Sequence, residues 1–199
     1  MSITVNGLGE LRKLAGADLG TSEWIEVTQE RIDTFADATG DHQWIHVDPE
    51  RAKEGPFGAP IAHGCLTLSL FIPLFTGLLD VRGVSTKANY GLNKVRFPAP
   101  VKAGSRIRLA ARLASVEEVP GGAQIAVDGT IEIDGGAKPA AVLQSLSRFY
   151  ARGPVACPRT VTKGSPVIWR QQHGIHGRRR QVPWIAHSGT GARTLAFCP

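Results

Sequence analysis

The sequence predicts an α+β domain, an antiparallel sheet wrapped around one long central apolar helix, and three observations carry that prediction. Residues 63–79, HGCLTLSLFIPLFTGLL, are apolar on nearly every side, the pattern of a helix surrounded by protein. Three later segments, Ser105–Val116, Gln124–Ile133 and Ala140–Tyr150, alternate apolar and polar residues with the period of a half-buried strand. Pro120-Gly121-Gly122 and Asp134-Gly135-Gly136 separate them as hairpin turns. Long strands with one apolar face need a cover on that face, and the apolar helix supplies it.

The preceding elements follow from local signals. Asn6–Ala15 reads as a short helix with Leu8, Leu11 and Leu14 spaced by three, and Trp24–Val27 as a short strand. Thr28 is placed to cap a helix over Gln29–Thr39, in which Ile32, Phe35 and Ala36 share a face and Gly40 stops the helix at its C′ position. Asp48-Pro49 repeats the start signal, a capping carboxylate followed by proline at the first helical position, for a short helix ending by Gly55. The loop GPFGAP then leads to the apolar helix. There Pro73 is expected to kink the helix or end its first part, and Cys65 is expected as a buried thiol. Val84–Tyr90 and Leu92–Phe97 are strand-like, with a bulge or bend expected at Gly91. In the first long alternating strand Ile107, Leu109, Ala111 and Leu113 face inward; in the next, Ile125, Val127, Ile131 and Ile133 do.

Charge divides the chain. Residues 1–151 carry 15 Lys/Arg against 17 Asp/Glu, a net of −2, whereas residues 152–199 carry 8 Lys/Arg and no acid. The overall charge of +6 therefore belongs to the last quarter and says little about what the globular part binds. Residues 1–151 are expected to form the domain, and residues 152–199 a basic Gly/Pro/Arg-rich tail, disordered or non-native, since that segment offers little apolar surface to offset ordering entropy. Arg178, Arg179 and Arg180 with Trp169 and Trp184 also admit a reading as a polyanion-binding tail, but no nucleic-acid partner is expected of the domain. The three cysteines have no metal-like spacing, and their usage suits a reducing, cytoplasmic setting. The N-terminus lacks the apolar core of a signal peptide. His63, Gly64, Pro73 and Gly77 interrupt a run barely as long as the roughly 20 residues a membrane span needs, so a buried helix is expected there.

The chemistry concentrates between Phe35 and Gly64. Asp41 and His46 stand five residues apart. On one continuous helix that step would separate the side chains by roughly 140°, but in a turn between Gly40 and Asp48-Pro49 they can converge on a water molecule, with the imidazole able to take or give a proton near neutral pH. The spacing alone equally admits a structural pair, with Asp41 capping the turn and His46 a half-buried histidine. Gly64 adds a second element. It lies where the apolar helix begins, so its N–H is one of the donors without an intrahelical partner, and with no Cβ it lets a carbonyl oxygen approach. Such a donor suits an enolate-forming reaction on a thioester. For Gly64 tight helix packing is the alternative, and His63 is read as a satisfied core histidine.

These residues carry a resemblance. The run TGDHQWIHVDPERA, with PIAHG and NYGLNKVRFPAPVKAGSRI in the same order, resembles the MaoC-like (R)-specific enoyl-CoA hydratases over about residues 5–151. The resemblance implies a hot-dog fold, two such units pairing as a homodimer, and syn addition of water to a trans-2-enoyl-CoA to give an (R)-3-hydroxyacyl-CoA. In its terms Asp41 and His46 match the pair that orients and activates water, and Gly64 the backbone donor to the thioester oxygen. It implies no metal and no cofactor beyond the coenzyme A of the substrate. Gln43 and Trp44 stand where the family more often has Asn-Pro, which makes both candidates for the acyl path; the serine some members use is replaced by Ile72. Dehydration of acyl-carrier-protein substrates is the nearest alternative, followed by a thioesterase and by a non-catalytic acyl-thioester-binding protein.

Overall fold

The computed structural model describes residues 2–151; the basic segment 152–199, with its expected disorder, lies outside them. The described elements are β1 (Ile3–Asn6), α1 (Gly7–Lys13), β2 (Asp18–Thr21), β3 (Ile25–Glu26), α2 (Gln29–Thr39), α3 (Trp44–Val47), α4 (Pro49–Lys53), α5 (Gly64–Ser69), α6 (Phe71–Thr76), β4 (Leu79–Arg82), β5 (Val84–Arg96), β6 (Arg106–Val119), β7 (Gly122–Ile133) and β8 (Ala141–Ala151). Six strands form one antiparallel sheet in the order β2-β6-β7-β8-β5, with β3 also on β6. A separate parallel pair joins β1 to β4.

The alternation read from the sequence sets which sheet face is buried. Ile107, Leu109 and Leu113 of β6, Ile125, Val127 and Ile131 of β7, and Leu143 and Phe149 of β8 meet Leu66, Leu70, Phe71, Leu74 and Phe75 of α5 and α6 in one core. Gly129 permits the close approach: a Cβ there would sit 3.0 Å from the Phe71 ring and 3.2 Å from Leu109. The expected bulge is present, since the β5–β8 register shifts between Asn89 and Gly91.

Two expectations need correction. The one long central helix is two short segments broken at Leu70, the interruption Pro73 was expected to cause. Pro73 accounts for the break: it has no N–H to offer the Ser69 carbonyl, and its ring crowds that carbonyl. Cys65 is not a buried thiol; it is free and exposed, and Ser69 and Thr76 on the same helical face are exposed too. Within this chain the sheet covers only one side of the helix pair. Strands β1, β2 and β4 carry no alternation long enough to mark them in the sequence, at four residues each.

Candidate active site

Local signals build the turn that holds Asp41 and His46. The Thr28 hydroxyl accepts the Arg31 amide at 3.2 Å to start α2, and Gly40, at φ +76°, returns its N–H to Ala36 to end it. Only a residue tolerant of that left-handed conformation turns the chain so sharply. Asp41, His42 and Gln43 run without helix before the single turn of α3, and Asp48, accepting the Arg51 amide at 3.1 Å, opens α4. Because Asp41 lies outside the helix that carries His46, the five-residue step no longer forces the two side chains apart.

They converge, and His63 joins them. One ligating atom from each of Asp41, His46 and His63 lies within 4.8 Å of the others. His46 is 7 % exposed and His63 4 %, while the Asp41 side chain is 56 % exposed. The His46 Nδ1–H donates to the Ile61 carbonyl at 2.6 Å. A carbonyl can only accept, so Nδ1 carries a hydrogen, and in the neutral ring Nε2 presents the lone pair a proton acceptor requires. Gln29 donates to the His46 carbonyl at 2.7 Å and ties α3 to α2.

Gly64 opens α5 and, with His46, lines a cleft of about 390 Å³ whose other walls include Phe57, Ile61, Ala62, Phe97 and Val101. His46 and Gly64, at the first turn of α5, thus share one predominantly apolar cavity, of the kind an acyl chain would enter. The Phe97 ring lies directly against Gly64, 3.2 Å from where a Cβ would stand. Neither Gln43 nor Trp44 lines that cleft. Trp44 instead packs its ring on Gly55, where a Cβ would meet it at 2.9 Å, and Arg51 lies 4.5 Å over the ring. His42, outside the cluster, bonds Asp37 at 2.9 Å, and that hydrogen bond holds its pKa above the ordinary 6.5 against the opposing desolvation.

His63 is what sequence reasoning passed over, as a satisfied core histidine. Its ring stacks on His46 with centroids 3.7 Å apart and planes 27° from parallel, its Nε2 bonds the Asp41 carbonyl at 2.9 Å, and its Nδ1 is buried without a partner. The available signal was its position one residue before Gly64. The Asp41–His46–His63 cluster could also be weighed as a metal site. Two nearly parallel rings stacked at this distance direct their in-plane lone pairs side by side, whereas a tetrahedral ion needs them to meet at one point. The arrangement suits proton transfer better than coordination.

Residues 10–135 match the MaoC like domain family. Among curated relatives, 3-hydroxyacyl-thioester dehydratase Z of Mycobacterium tuberculosis (strain ATCC 25618 / H37Rv) is 52 % identical over 149 residues, covering 74 % of this chain and 99 % of that protein. Among solved structures, R-hydratase PhaJ1 from Pseudomonas aeruginosa superimposes with a TM-score of 0.59 at 21 % identity, covering 73 % of this chain and 86 % of that one. The C-terminally truncated HadBC (3R-hydroxyacyl-ACP dehydratase) complex from Mycobacterium tuberculosis gives 0.55 at 20 % identity, covering 68 % and 96 %. At these identities the two structures speak to the fold, which is the hot-dog fold. Among the described residues, no helix is long and apolar enough to cross a membrane.

Proposed function

The chain belongs to the MaoC-like domain family, and from that premise we propose that it is a hydro-lyase which adds water to a trans-2-enoyl thioester, giving the (R)-3-hydroxyacyl thioester, and runs the reverse dehydration. The observation that carries the reading is one cavity lined by both His46, its Nε2 lone pair free, and Gly64 at the first turn of α5. Asp41, the half-exposed acid of the cluster, orients the water. The water O–H breaks as its proton goes to His46 Nε2, and the hydroxyl oxygen bonds to the β-carbon. The alkene electron pair moves into the thioester as an enolate, whose oxygen accepts from the Gly64 N–H. The enolate collapses as the pair returns a proton to the α-carbon on the same face, so H and OH are added syn and the enzyme is regenerated. Proton transfer of this kind is typically worth about 10²–10⁴ in rate, and an oxyanion donor about 10²–10³.

Coenzyme A is the carrier proposed, as part of the substrate and with no separate cofactor; an acyl-carrier-protein substrate would undergo the same chemistry. The unit proposed is a homodimer. The thirteen-residue strand β5 pairs only with β8 among the described residues and leaves its other edge open, the arrangement that favours pairing with a second chain. A free, exposed Cys65 suits a reducing compartment such as the cytoplasm.

The test is loss of enoyl absorbance with crotonyl-CoA and longer enoyl-CoA substrates, with the product's chirality determined. Asp41→Asn and His46→Gln should each lower kcat by about 10²–10⁴ and leave the oligomer intact. Thioester cleavage without hydration by the wild type would replace this reading with a thioesterase.

A further inference from the structure

We propose that His63 is a positioning residue that locks Asp41 and His46 to each other, so that neither imidazole of the stacked pair is spare. The inference rests on the hydration reading and assigns His63 no contact with substrate. His63 is the N-cap residue of α5 and is 4 % exposed. Its Nε2 is 2.9 Å from the Asp41 backbone carbonyl; since a carbonyl only accepts, Nε2 carries the hydrogen. That bond restrains the peptide on which the Asp41 carboxylate is mounted, in a linker with no helix of its own. The carboxylate itself stands further off, its Oδ2 4.0 Å from His63 Nε2. The contact is therefore a grip on the main chain, leaving the carboxylate free for water.

The ring face adds a second, weaker restraint, on His46. Stacked at 3.7 Å, the His63 ring backs the His46 ring, and His46 lines the cleft. Phe35 supports His63 from another side, with ring centroids 5.0 Å apart. The unpartnered Nδ1 fits the same role. A second proton on that nitrogen would find no acceptor, so the geometry uses His63 as a neutral single donor and leaves proton transfer to His46. The two histidines thus hold opposite tautomers, each set by a main-chain carbonyl: Ile61 for His46 and Asp41 for His63.

Two substitutions separate the hydrogen bond from the ring contact. His63→Phe keeps a flat ring against His46 and removes the donor. His63→Gln keeps a donor able to reach the Asp41 carbonyl and removes the ring. If the grip on Asp41 matters, His63→Phe lowers kcat for crotonyl-CoA by up to about 10²-fold, the cost of a small misplacement at a reacting centre, with KM within about twofold, and His63→Gln recovers most of that loss. In an Asp41→Asn background the difference between the Gln and Phe variants should vanish, because the residue being positioned no longer functions. Wild-type kcat in both variants, equal losses in both, a change mainly in KM, or a Gln–Phe difference that persists in the Asp41→Asn background would each overturn the proposal. Losses that track a fall in melting temperature would assign His63 to folding alone and overturn it too. A wild-type protein that hydrates no enoyl thioester would instead remove the functional reading beneath it.

Discussion

Replacing Gly64 by alanine tests the site without removing any polar group. The backbone N–H stays; only a methyl is added, at the spot the proposed mechanism gives to the thioester oxygen. Its nearest neighbours would be the Phe97 ring atoms, at 3.2, 3.3 and 3.4 Å. A contact of that length requires the ring to give by a few tenths of an ångström. Phe97 lies just past the end of β5 and is 46 % exposed, so it has room to yield. Alanine is also the better helix former by about 1 kcal/mol in a helix interior, less at the first helical position. These opposing terms leave stability within about 1 kcal/mol of wild type. Activity should behave differently: an oxygen held off the amide forfeits most of an oxyanion contact, about 10²–10³ in kcat/KM or roughly 3–4 kcal/mol of the barrier.

Enoyl absorbance and thermal melting measured on the same preparations separate the two terms. The expected result is a melting temperature close to wild type with kcat/KM down at least 10²-fold. A Gly64→Ala protein within about threefold of wild-type kcat/KM would refute the assignment of the amide to the thioester oxygen. So would full recovery in the double variant with Phe97→Ala, because the loss would then lie in the displaced ring and not in the blocked amide.

Further outcomes follow from other parts of the molecule. Leu109, fully buried and opposite Ile131 in the sheet, should cost about 2–5 kcal/mol when cut to alanine, whereas Cys65→Ser on the exposed helix face should fall within about 0.5 kcal/mol of wild type; urea midpoints decide both. His42, its pKa held above 6.5 mainly by the hydrogen bond to Asp37, adds stability that is fully present below 6.5 and is lost as pH rises through the folded midpoint. An NMR titration should place that midpoint above 6.5, and Asp37→Asn should bring it back down; an unchanged midpoint would remove Asp37 as the cause. Light scattering should give the mass of two chains, and a proline placed in the middle of β5, which removes an N–H from its pairing, should shift it toward one.

How far the sequence went depended on the range of each signal. Caps and alternation act within a few residues, which is why Thr28, Gly40, Asp48 and the inward faces of β6 and β7 were legible and agree with the structure. Four-residue strands such as β1 and β4 hold their place by pairing with each other across more than seventy residues, and nothing local announces that. The break at Leu70 was half legible: Pro73 predicted a disturbance, while its place, one turn earlier, depends on which carbonyl the ring crowds. Asp41, His46 and Gly64 stood out in spacing and helix position, and their roles were implied by the family resemblance. The position of Trp44 was not legible, because the residue it packs on, Gly55, lies beyond α4 and the contact is purely steric.

His63 was passed over for a more general reason. A histidine next to a glycine at a helix start has no periodicity to betray it; its meaning comes from the Asp41 carbonyl and the His46 ring, both supplied by another segment. The Ile61 carbonyl accepts from His46 Nδ1–H, and the Ile61 N–H donates to the Ile45 carbonyl at 3.0 Å. Ala62 bonds Val101 at 2.7 Å. The strip 61–63 is therefore pinned to α3 on one side and to the strand-leading loop at residues 101–103 on the other, before His63 begins to hold Asp41. Main-chain bonds of this kind do not depend on side-chain identity, so the site's geometry is set by how the GPFGAP loop returns the chain, and the two imidazoles then read that geometry as a pair of fixed tautomers. The proposed acid/base chemistry would thus follow from the backbone path, with the side chains supplying only the atoms that move protons.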